Sequence, residues 1–467
     1  MTQAEGVHQR RFLTRSALAP MRSYALTTPL HRSANGQPPA RLAGIIQAMH
    51  PALNPQPDTS QPMSNPLPRA FHRLAGANLA AQAAEQVSLA AVPIIAVLLL
   101  QAGPGQIGLL STAQTLPFLL LAIPLGLLAD RISRRRLMAA AEALRAASLA
   151  GLLIATLTGQ LSIALLAVLG FMGAAGTVGF SVAAPALVPA LVPRDLLGAA
   201  NGRLELARSA AFAGGPALAG ALVSWAGASS AFVLATLLSA GAVALLIGLP
   251  DPARAQATAR HPWLELKDGA RLVWQHALLR PVLLTAVAWN LAWFVLQAAY
   301  VPYALGALGL GADGVGFTLA TYGAGMVVGA LVAPWVFAAL PFGRVVVVGP
   351  VVSVLASVTM LGTLLWPSGW LAGASFFLFG VGPILWTISA ATLRQTVTPQ
   401  AMLGRVSAIF LTVNMGARPL GAALGGLVGE VWGAPACLVL ACAGFCVQAG
   451  VILASPVRTL QRLPPGA

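Results

Sequence analysis

Apolar runs of about twenty residues follow one another along most of this 467-residue chain, and that succession limits what the chain can fold into. Only 8% of its residues are charged and 57% are hydrophobic, whereas soluble domains carry roughly 25% charged residues. A helix of about 20 apolar residues spans a bilayer, and its backbone groups bond within the segment. Twelve such segments between residues 74 and 456 therefore predict an all-α membrane protein with twelve transmembrane helices.

The charged residues between the segments predict how the chain is oriented. Basic residues occupy alternate connections, such as 131–136 and 254–280, whereas the other connections carry only Asp313 and Glu430. Basic connections stay on the cytoplasmic side of a membrane, so we expect both termini in the cytoplasm and a multi-pass protein of a bacterial inner membrane. The concentration of basic residues in these connections also accounts for the net charge of +15, so the charge does not indicate nucleic-acid binding.

Composition predicts five parts along the chain. The first is rich in Pro, Ser, Gln and Arg, which is typical of disorder, and translation from Met63 is an alternative start. The parts are a disordered N-terminal extension (1–68), an N-terminal six-helix half (69–249), a cytoplasmic linker (250–280), a C-terminal six-helix half (281–456) and a cytoplasmic tail (457–467).

Within the linker, apolar residues recur at helical spacing and predict an amphipathic helix lying on the membrane surface. These residues are Trp263, Leu266, Ala270, Val273, Trp274 and Ala277.

The two halves are related by an internal repeat. Five pairs of residues are separated by the same 206 positions, without gaps over some 36 residues. The pairs are Pro193 and Pro399, Gly198 and Gly404, Gly215 and Gly421, Gly220 and Gly426, and Gly227 and Gly433.

The connection after the second segment carries the most specific motif. Gly126 is followed by Asp130 and Arg131, and then by the cluster Arg134, Arg135 and Arg136. This pattern resembles the signature loop between helices 2 and 3 of the major facilitator superfamily of transporters, with Ser133 where the family usually carries Gly. The resemblance implies that these six residues form a conformational gate; a connection that only sets topology is the alternative.

Two further stretches, Leu191–Gly202 and Leu393–Ala408, are similar to the branch of that superfamily holding the macrolide efflux proteins and the enterobactin exporter. The resemblance covers residues 69–456. It implies two pseudo-symmetric six-helix bundles, a substrate site between them near the midplane, and transport by alternating access.

Two charges lie deep inside apolar segments. Glu85 is 12 residues past Arg73, about 18 Å deep, and Arg418 is 13 residues past Arg405, about 20 Å deep. Intramembrane charges usually face a cavity and serve a function. Glu85 is thus a candidate for proton coupling, with a substrate-cation contact or a structural ion pair as alternatives. Arg418 is its candidate charge partner, and Gln114 is another group with which it could pair.

Polar and small residues within other segments complete the candidate site. Gly215, Pro216 and Gly220 loosely resemble the helix 5 motif of proton-driven exporters. One segment holds Trp289, Asn290, Trp293 and Gln297, followed by Tyr300 and Tyr303, and its residues 289, 293, 297 and 300 fall on one stripe. Such a stripe suits a large, partly apolar ligand, although lipid-facing Trp with interfacial Tyr is an equal alternative. The predicted cavity residues are Gln82, Gln114, Trp289, Asn290, Trp293 and Gln297.

Together these features predict a proton-coupled exporter of small amphiphilic molecules, drug-like, macrolide-like or siderophore-like. An importer or facilitator of the same fold is the nearer alternative, and a non-transporting sensor or scaffold is the alternative from another class. We expect no enzymatic activity, metal or cofactor, because no nucleophile–base pair, metal cluster or phosphate loop is recognisable. The expected partners are a small-molecule substrate, protons and the bilayer, and we expect a monomer.

Overall fold

The computed structural model describes residues 67–193, 196–250, 262–399 and 402–464. Apart from short 3₁₀ turns, among them Pro456–Thr459, every regular element in these ranges is an α-helix. The helices are α1 (Arg69–Leu100), α2 (Pro104–Arg131), α3 (Arg134–Leu157), α4 (Ile163–Leu191), α5 (Leu197–Ala226), α6 (Ala228–Ile247), α7 (Pro262–Gln275), α8 (Leu279–Gly306), α9 (Ala312–Ala339), α10 (Phe342–Gly362), α11 (Gly369–Val397) and α12 (Leu403–Leu453).

Eleven of the described helices, all except α7, are long and apolar enough to cross a membrane. The longest, α12, has 51 residues and is broken at Gly433, where φ is 79° and ψ is 173°. A residue with a side chain rarely adopts that positive φ. Gly227, between α5 and α6, has almost the same backbone angles, 84° and 167°. The two arms of α12 therefore count as separate spans, and the twelve predicted helices are confirmed.

The helices form two pseudo-symmetric six-helix bundles, and the glycine pairs of the sequence repeat occupy equivalent places in them. A methyl group on Gly215 would meet Gln86 of α1, and one on Gly421 would meet Leu291 of α8. Because Gln86 and Leu291 are 205 positions apart, α5 packs on α1 as the first arm of α12 packs on α8. This equivalence has the form of a parallel repeat.

Two glycine crossings join the bundles at one end of the molecule, which we call the closed end. Gly220 of α5 crosses Gly316 of α9, and Gly426 of α12 crosses Gly108 of α2. Without side chains the backbones approach closely. Both crossings lie where α1 ends and α2 begins. We call the other end, where α1 begins, the basic end.

At the basic end the bundles are held together less closely. Open space surrounds Gly202 of α5 and Gly404 of α12, and α4 and α11 do not pack extensively against each other over their described residues. The basic end also carries the surface arginines, among them Arg73, Arg136 and Arg280. The two bundles therefore contact each other more closely at the closed end than at the basic end.

Helix α7 lies against the second bundle at the basic end. Val273, predicted on the membrane-facing side, is buried with Leu279 and Val406, because Gly269 lets α7 approach the backbone of Arg405. Trp274 is exposed and carries the Arg280 guanidinium at 4.7 Å. The side chains of Trp263 and Leu266, and residues 251–261, lie outside what the structure describes, as does the N-terminal extension up to residue 66.

Candidate functional site

A cavity of about 600 Å³ lies between the two bundles near mid-span. Five of the six predicted cavity residues line it, namely Gln114, Trp289, Asn290, Trp293 and Gln297. Gln82, which lies three residues nearer the start of α1 than Glu85, does not line it. The volume falls within the range of pockets for drug-sized ligands.

An aromatic wall forms the side of the cavity contributed by the second bundle. Trp289 and Trp293 stack with their ring centroids 5.2 Å apart, and Trp293 also contacts the rings of Tyr322, Phe376 and Phe379. The alternative prediction, that Trp289 and Trp293 face the lipid, is therefore wrong.

The two tyrosines after the stripe are also inside the protein. Tyr300 and Tyr303 are buried, with their hydroxyls bonded to Thr318 and Thr363. They do not anchor an interface, because their hydroxyl partners lie within the bundle.

Glu85 lies at the middle of α1 and lines the cavity. None of the described side chains forms a hydrogen bond or an ion pair with its carboxylate. The charges that act on it through space are Arg145, Glu142 and Arg418. Glu85 is thus an acid that faces the cavity without a direct partner.

Arg418 lines the opposite side of the cavity, and the static ion pair with Glu85 does not form in this structure. Its Nε instead donates to Asn290 Oδ1 at 3.2 Å, and the Asn290 amide donates to the carbonyl of Ala286 at 3.0 Å. No bond to Gln114 forms. Depth along a helix places a charge at the right level, but packing of α12 on α8 decides which neighbour it meets.

Sequence reasoning missed a buried pair of charges on α3. Glu142 and Arg145 are 0% and 3% exposed, and Arg145 Nη1 lies 3.3 Å from Glu142 Oε1. Arg145 also donates to the carbonyl of Ala81 and to the hydroxyl of Thr177, each at 2.8 Å, and Ser239 donates to Glu142. The pair therefore ties α1, α4 and α6 to α3, one turn from Glu85. Its i, i+3 spacing within an apolar segment was the available signal.

A second missed pair lies on α5. Arg208 lines the cavity, and its Nε donates to Glu205 Oε2 at 3.0 Å, while Nη2 contacts the other oxygen. The Arg208 guanidinium also lies 5.4 Å from the ring centre of Phe212. This fork-like pairing neutralises Arg208 at the cavity wall.

The predicted gate connection has a defined local structure. Helix α2 ends at Arg131, the Ser133 side chain accepts from the amide of Arg136, and α3 begins at Arg134. Arg135 Nη1 donates to the carbonyls of Ile247 and Leu249 at 3.1 and 3.0 Å. Arg135 therefore caps α6 within its own bundle.

The other gate residues are less informative. Gly126 faces Val182 of α4, and Arg136 is exposed. The side chains of Asp130 and Arg131 lie outside the described part of the chain. The gate role of this connection stays a prediction.

The predicted helix 5 motif lies at two helix contacts. Gly215 allows α5 to approach Gln86 of α1, and Gly220 allows it to cross Gly316 of α9. Pro216, between them, lines the cavity. The motif thus connects the cavity wall with the closed end.

The charges near mid-span balance, but two of them are unpaired. Across the described helices, three acids and three arginines lie at this level: Glu85, Glu142, Glu205, Arg145, Arg208 and Arg418. Two ion pairs account for four of these charges. Glu85 and Arg418 remain at this level, facing one cavity from different bundles, while Arg394, nearer the basic end of α11, lines the same cavity over the ring of Phe410.

Comparison with known proteins connects this architecture to transporters. A family model described as Major Facilitator Superfamily matches residues 74–422. An uncharacterized MFS-type transporter of Sinorhizobium fredii is 29% identical over 53% of this chain and 63% of its own length. Macrolide efflux protein A of Streptococcus pyogenes is 24% identical over 75% of this chain and 88% of its own length. The multidrug efflux pump Tap of Mycobacterium tuberculosis is 30% identical over 44% of this chain and 51% of its own length.

Solved transporter structures share the fold. The nucleoside transporter NupG superposes with a TM-score of 0.66 at 13% identity, covering 83% of this chain and 99% of that one. A bacterial homolog of the human lysosomal transporter Spinster gives 0.66 at 14% identity, covering 84% of this chain and 97% of that one. With twelve spans, a central cavity and a family match over most of its length, this protein is a multi-pass membrane transporter, not an enzyme, and belongs to the Major Facilitator Superfamily.

Proposed function

We propose that this transporter exports small amphiphilic molecules in exchange for protons. The observation that carries the proposal is Glu85, an acid at mid-span that faces the cavity without a hydrogen-bond or ion-pair partner among the described residues. A carboxyl group in this position can take up or release a proton when its surroundings change. The names of two relatives, a macrolide efflux protein and a multidrug efflux pump, support export.

Charge balance explains how a proton would be coupled to a substrate. With Glu85 ionised, the six charges near mid-span sum to zero, whereas protonation removes the one negative charge that faces Arg418 and Arg394 in the cavity. A protonation step therefore changes the electrostatic free energy of the cavity between the bundles, which is the kind of differential interaction that shifts a conformational equilibrium.

The conformational change is a rocking of the two bundles about this cavity. In the state described here the glycine crossings shut the closed end. The opposite state requires Gly108 to part from Gly426 and Gly220 from Gly316. The connection from Gly126 to Arg136 would then hold the basic end together, and Gly215, Pro216 and Gly220 would let α5 move.

The charge distribution supports one orientation in a bacterial inner membrane. The basic end, with Arg73, Arg136 and Arg280, would face the cytoplasm, and Asp313 and Glu430 would lie on the outer side. Both termini would then be cytoplasmic. In this orientation the cavity is closed towards the outside, as required for a pump to take up substrate from the cell.

The deciding experiment measures drug susceptibility of a pump-deficient bacterium that expresses the full chain or its Glu85→Gln variant. We expect the chain to raise resistance to particular amphiphilic compounds and the variant to abolish that resistance, because Gln keeps the shape of Glu but cannot exchange a proton. Asp313→Asn is the matched control, since it neutralises an exposed acid far from the cavity.

Other outcomes would change the proposal. Resistance that survives Glu85→Gln would keep export but remove Glu85 from coupling. Increased sensitivity to a compound would instead favour import. With the protein present in the membrane, the absence of any phenotype or flux would favour a sensor or scaffold.

A further inference from the structure

Glu85 and Arg418 present opposite charges to one cavity from opposite bundles. Glu85 lies at the middle of α1, and Arg418 lies at the middle of the first arm of α12. Both line the cavity and are half-buried. No ion pair forms between them, so the Glu85 carboxylate oxygens and the Arg418 guanidinium nitrogens are more than 4 Å apart. The two opposite charges nevertheless attract each other through space.

Only one of the three guanidinium nitrogens of Arg418 donates a hydrogen bond to a described residue. Its Nε donates to Asn290, and the rings of Phe118 and Phe294 lie 5.9 and 5.8 Å from its central carbon. No described residue accepts a hydrogen bond from its two Nη groups. Since a guanidinium binds a carboxylate through two parallel hydrogen bonds, the free Nη groups form a ready site for one.

Among the described residues, the cavity has no other unpaired acid, and its other arginine without an ion pair, Arg394, lies nearer the basic end over the ring of Phe410. Glu142 and Glu205 are bonded to Arg145 and Arg208, and neither glutamate lines the cavity. In the same cavity, the stacked rings of Trp289 and Trp293 offer an apolar surface. The site is therefore two oppositely charged positions beside an aromatic wall.

We propose that the substrate is a zwitterionic amphiphile whose ammonium group binds Glu85, whose carboxylate binds Arg418, and whose apolar body lies on Trp289 and Trp293. The inference rests on the proposed function, since it takes this cavity as the transport site. It narrows the substrate from amphiphiles in general to those that carry both charges.

A substrate with a single charge fits the cavity less well. A cation on Glu85 leaves Arg418 uncompensated, and an anion on Arg418 leaves Glu85 uncompensated. The zwitterion also preserves proton exchange: its ammonium can bind Glu85 only after the carboxyl group has released its proton, so one proton leaves as one ammonium arrives. An anion on Arg418 would be balanced only when Glu85 is protonated, so it would bind together with the proton and not in exchange for it.

Three forms of one fluorescent molecule test the proposal in the unmodified protein. Ciprofloxacin carries an ammonium and a carboxylate at neutral pH, its ethyl ester keeps only the ammonium, and its N-acetyl derivative keeps only the carboxylate. We would measure binding of each to the full chain in lipid nanodiscs. Because each charged contact contributes strongly to affinity, we expect ciprofloxacin to bind at least about tenfold more tightly than either derivative.

Variants then assign each charge to its residue. Arg418→Gln should remove the preference for ciprofloxacin over the ester, because it weakens the binding of ciprofloxacin and relieves the repulsion between Arg418 and the cationic ester. Glu85→Gln should remove the preference over the N-acetyl derivative. Arg271→Gln is the matched control, because it removes an exposed arginine outside the cavity, and it should leave all three affinities unchanged.

Two results would overturn the inference: equal affinity for ciprofloxacin and its ester in the unmodified protein, or no detectable binding of any of the three. A pH gradient across proteoliposomes separates this inference from the proposed function. Discrimination in binding without gradient-driven uptake would leave the zwitterion site standing and remove proton exchange.

Discussion

The glycine crossings at the closed end make a quantitative prediction for Gly108→Ala. A methyl group at residue 108 would lie 2.7 Å from the Gly426 nitrogen and 2.8 Å from the Ala422 oxygen, and closer still to the Gly426 Cα. Unbonded heavy atoms rest at about 3.5–4.0 Å, so α2 and α12 must separate by roughly 1 Å. All three obstructing atoms belong to the backbone, so no side-chain rotation relieves the overlap.

This cost falls on one conformational state only. The crossing exists when the closed end is shut, and opening that end removes it. Overpacking costs about 1–3 kcal/mol. This corresponds to roughly a 5- to 150-fold shift of the conformational equilibrium towards the state in which the two bundles part at the closed end. The same reasoning applies to Gly220→Ala, where a methyl group would lie 2.8 Å from the Gly316 Cα.

Cysteine labelling measures the shift. In a background without the three native cysteines, Ser111→Cys places a thiol on the cavity side of the crossing. We expect Gly108→Ala to raise its labelling rate by a membrane-impermeant maleimide, added on the closed-end side, by roughly 5- to 150-fold. Gly214→Ala is the matched control, because a methyl group there meets nothing within 4 Å. An unchanged rate in folded Gly108→Ala protein would refute the reasoning.

Three further predictions concern stability, each measured by thermal unfolding in detergent. Arg145→Met should destabilise the protein by about 3–5 kcal/mol, because it leaves Glu142 buried and unpaired; a double variant with Glu142→Leu should lose less, and an equal or larger loss would argue against a coupled pair. Arg135→Ala should cost about 1–2 kcal/mol through two lost bonds, to the carbonyl of Ile247 at the end of α6 and to that of Leu249 just beyond it, whereas exposed Arg136→Ala should cost almost nothing; equal effects would contradict the capping role. Burial lowers the pKa of His276, so its folded form binds a proton less readily than its unfolded form. Its small contribution is therefore present above about pH 6.5 and falls as pH drops below that value, and His276→Asn should flatten this dependence.

Hydropathy and glycine spacing predicted much of the architecture. A bilayer requires long apolar helices with internally bonded backbones, so the twelve spans follow from the positions of the apolar runs. The break at Gly433 agrees with the sequence repeat, since Gly227, between α5 and α6, precedes it by 206 residues. The superfamily was recognisable from the motif between Gly126 and Arg136.

The candidate site was predictable only in part. Glu85 and Arg418 stood out because each is a charge deep within an apolar segment. The pair of Glu142 and Arg145 had the same signal but was overlooked. Its roles could not have been read from sequence in any case, because they depend on which carbonyl and hydroxyl groups three other helices bring within reach.

The amino-acid sequence alone is enough to predict the set of elements: helices, their order, their repeat and the sign of charge at each end. These follow from short-range rules on apolar length, loop charge and residue spacing. Tertiary structure alone decided that Arg418 bonds Asn290 and not Glu85, that Arg135 caps α6, and that Gly108 meets Gly426. Such partnerships depend on helix rotation and axial position to within about an ångström, and packing between distant segments sets both.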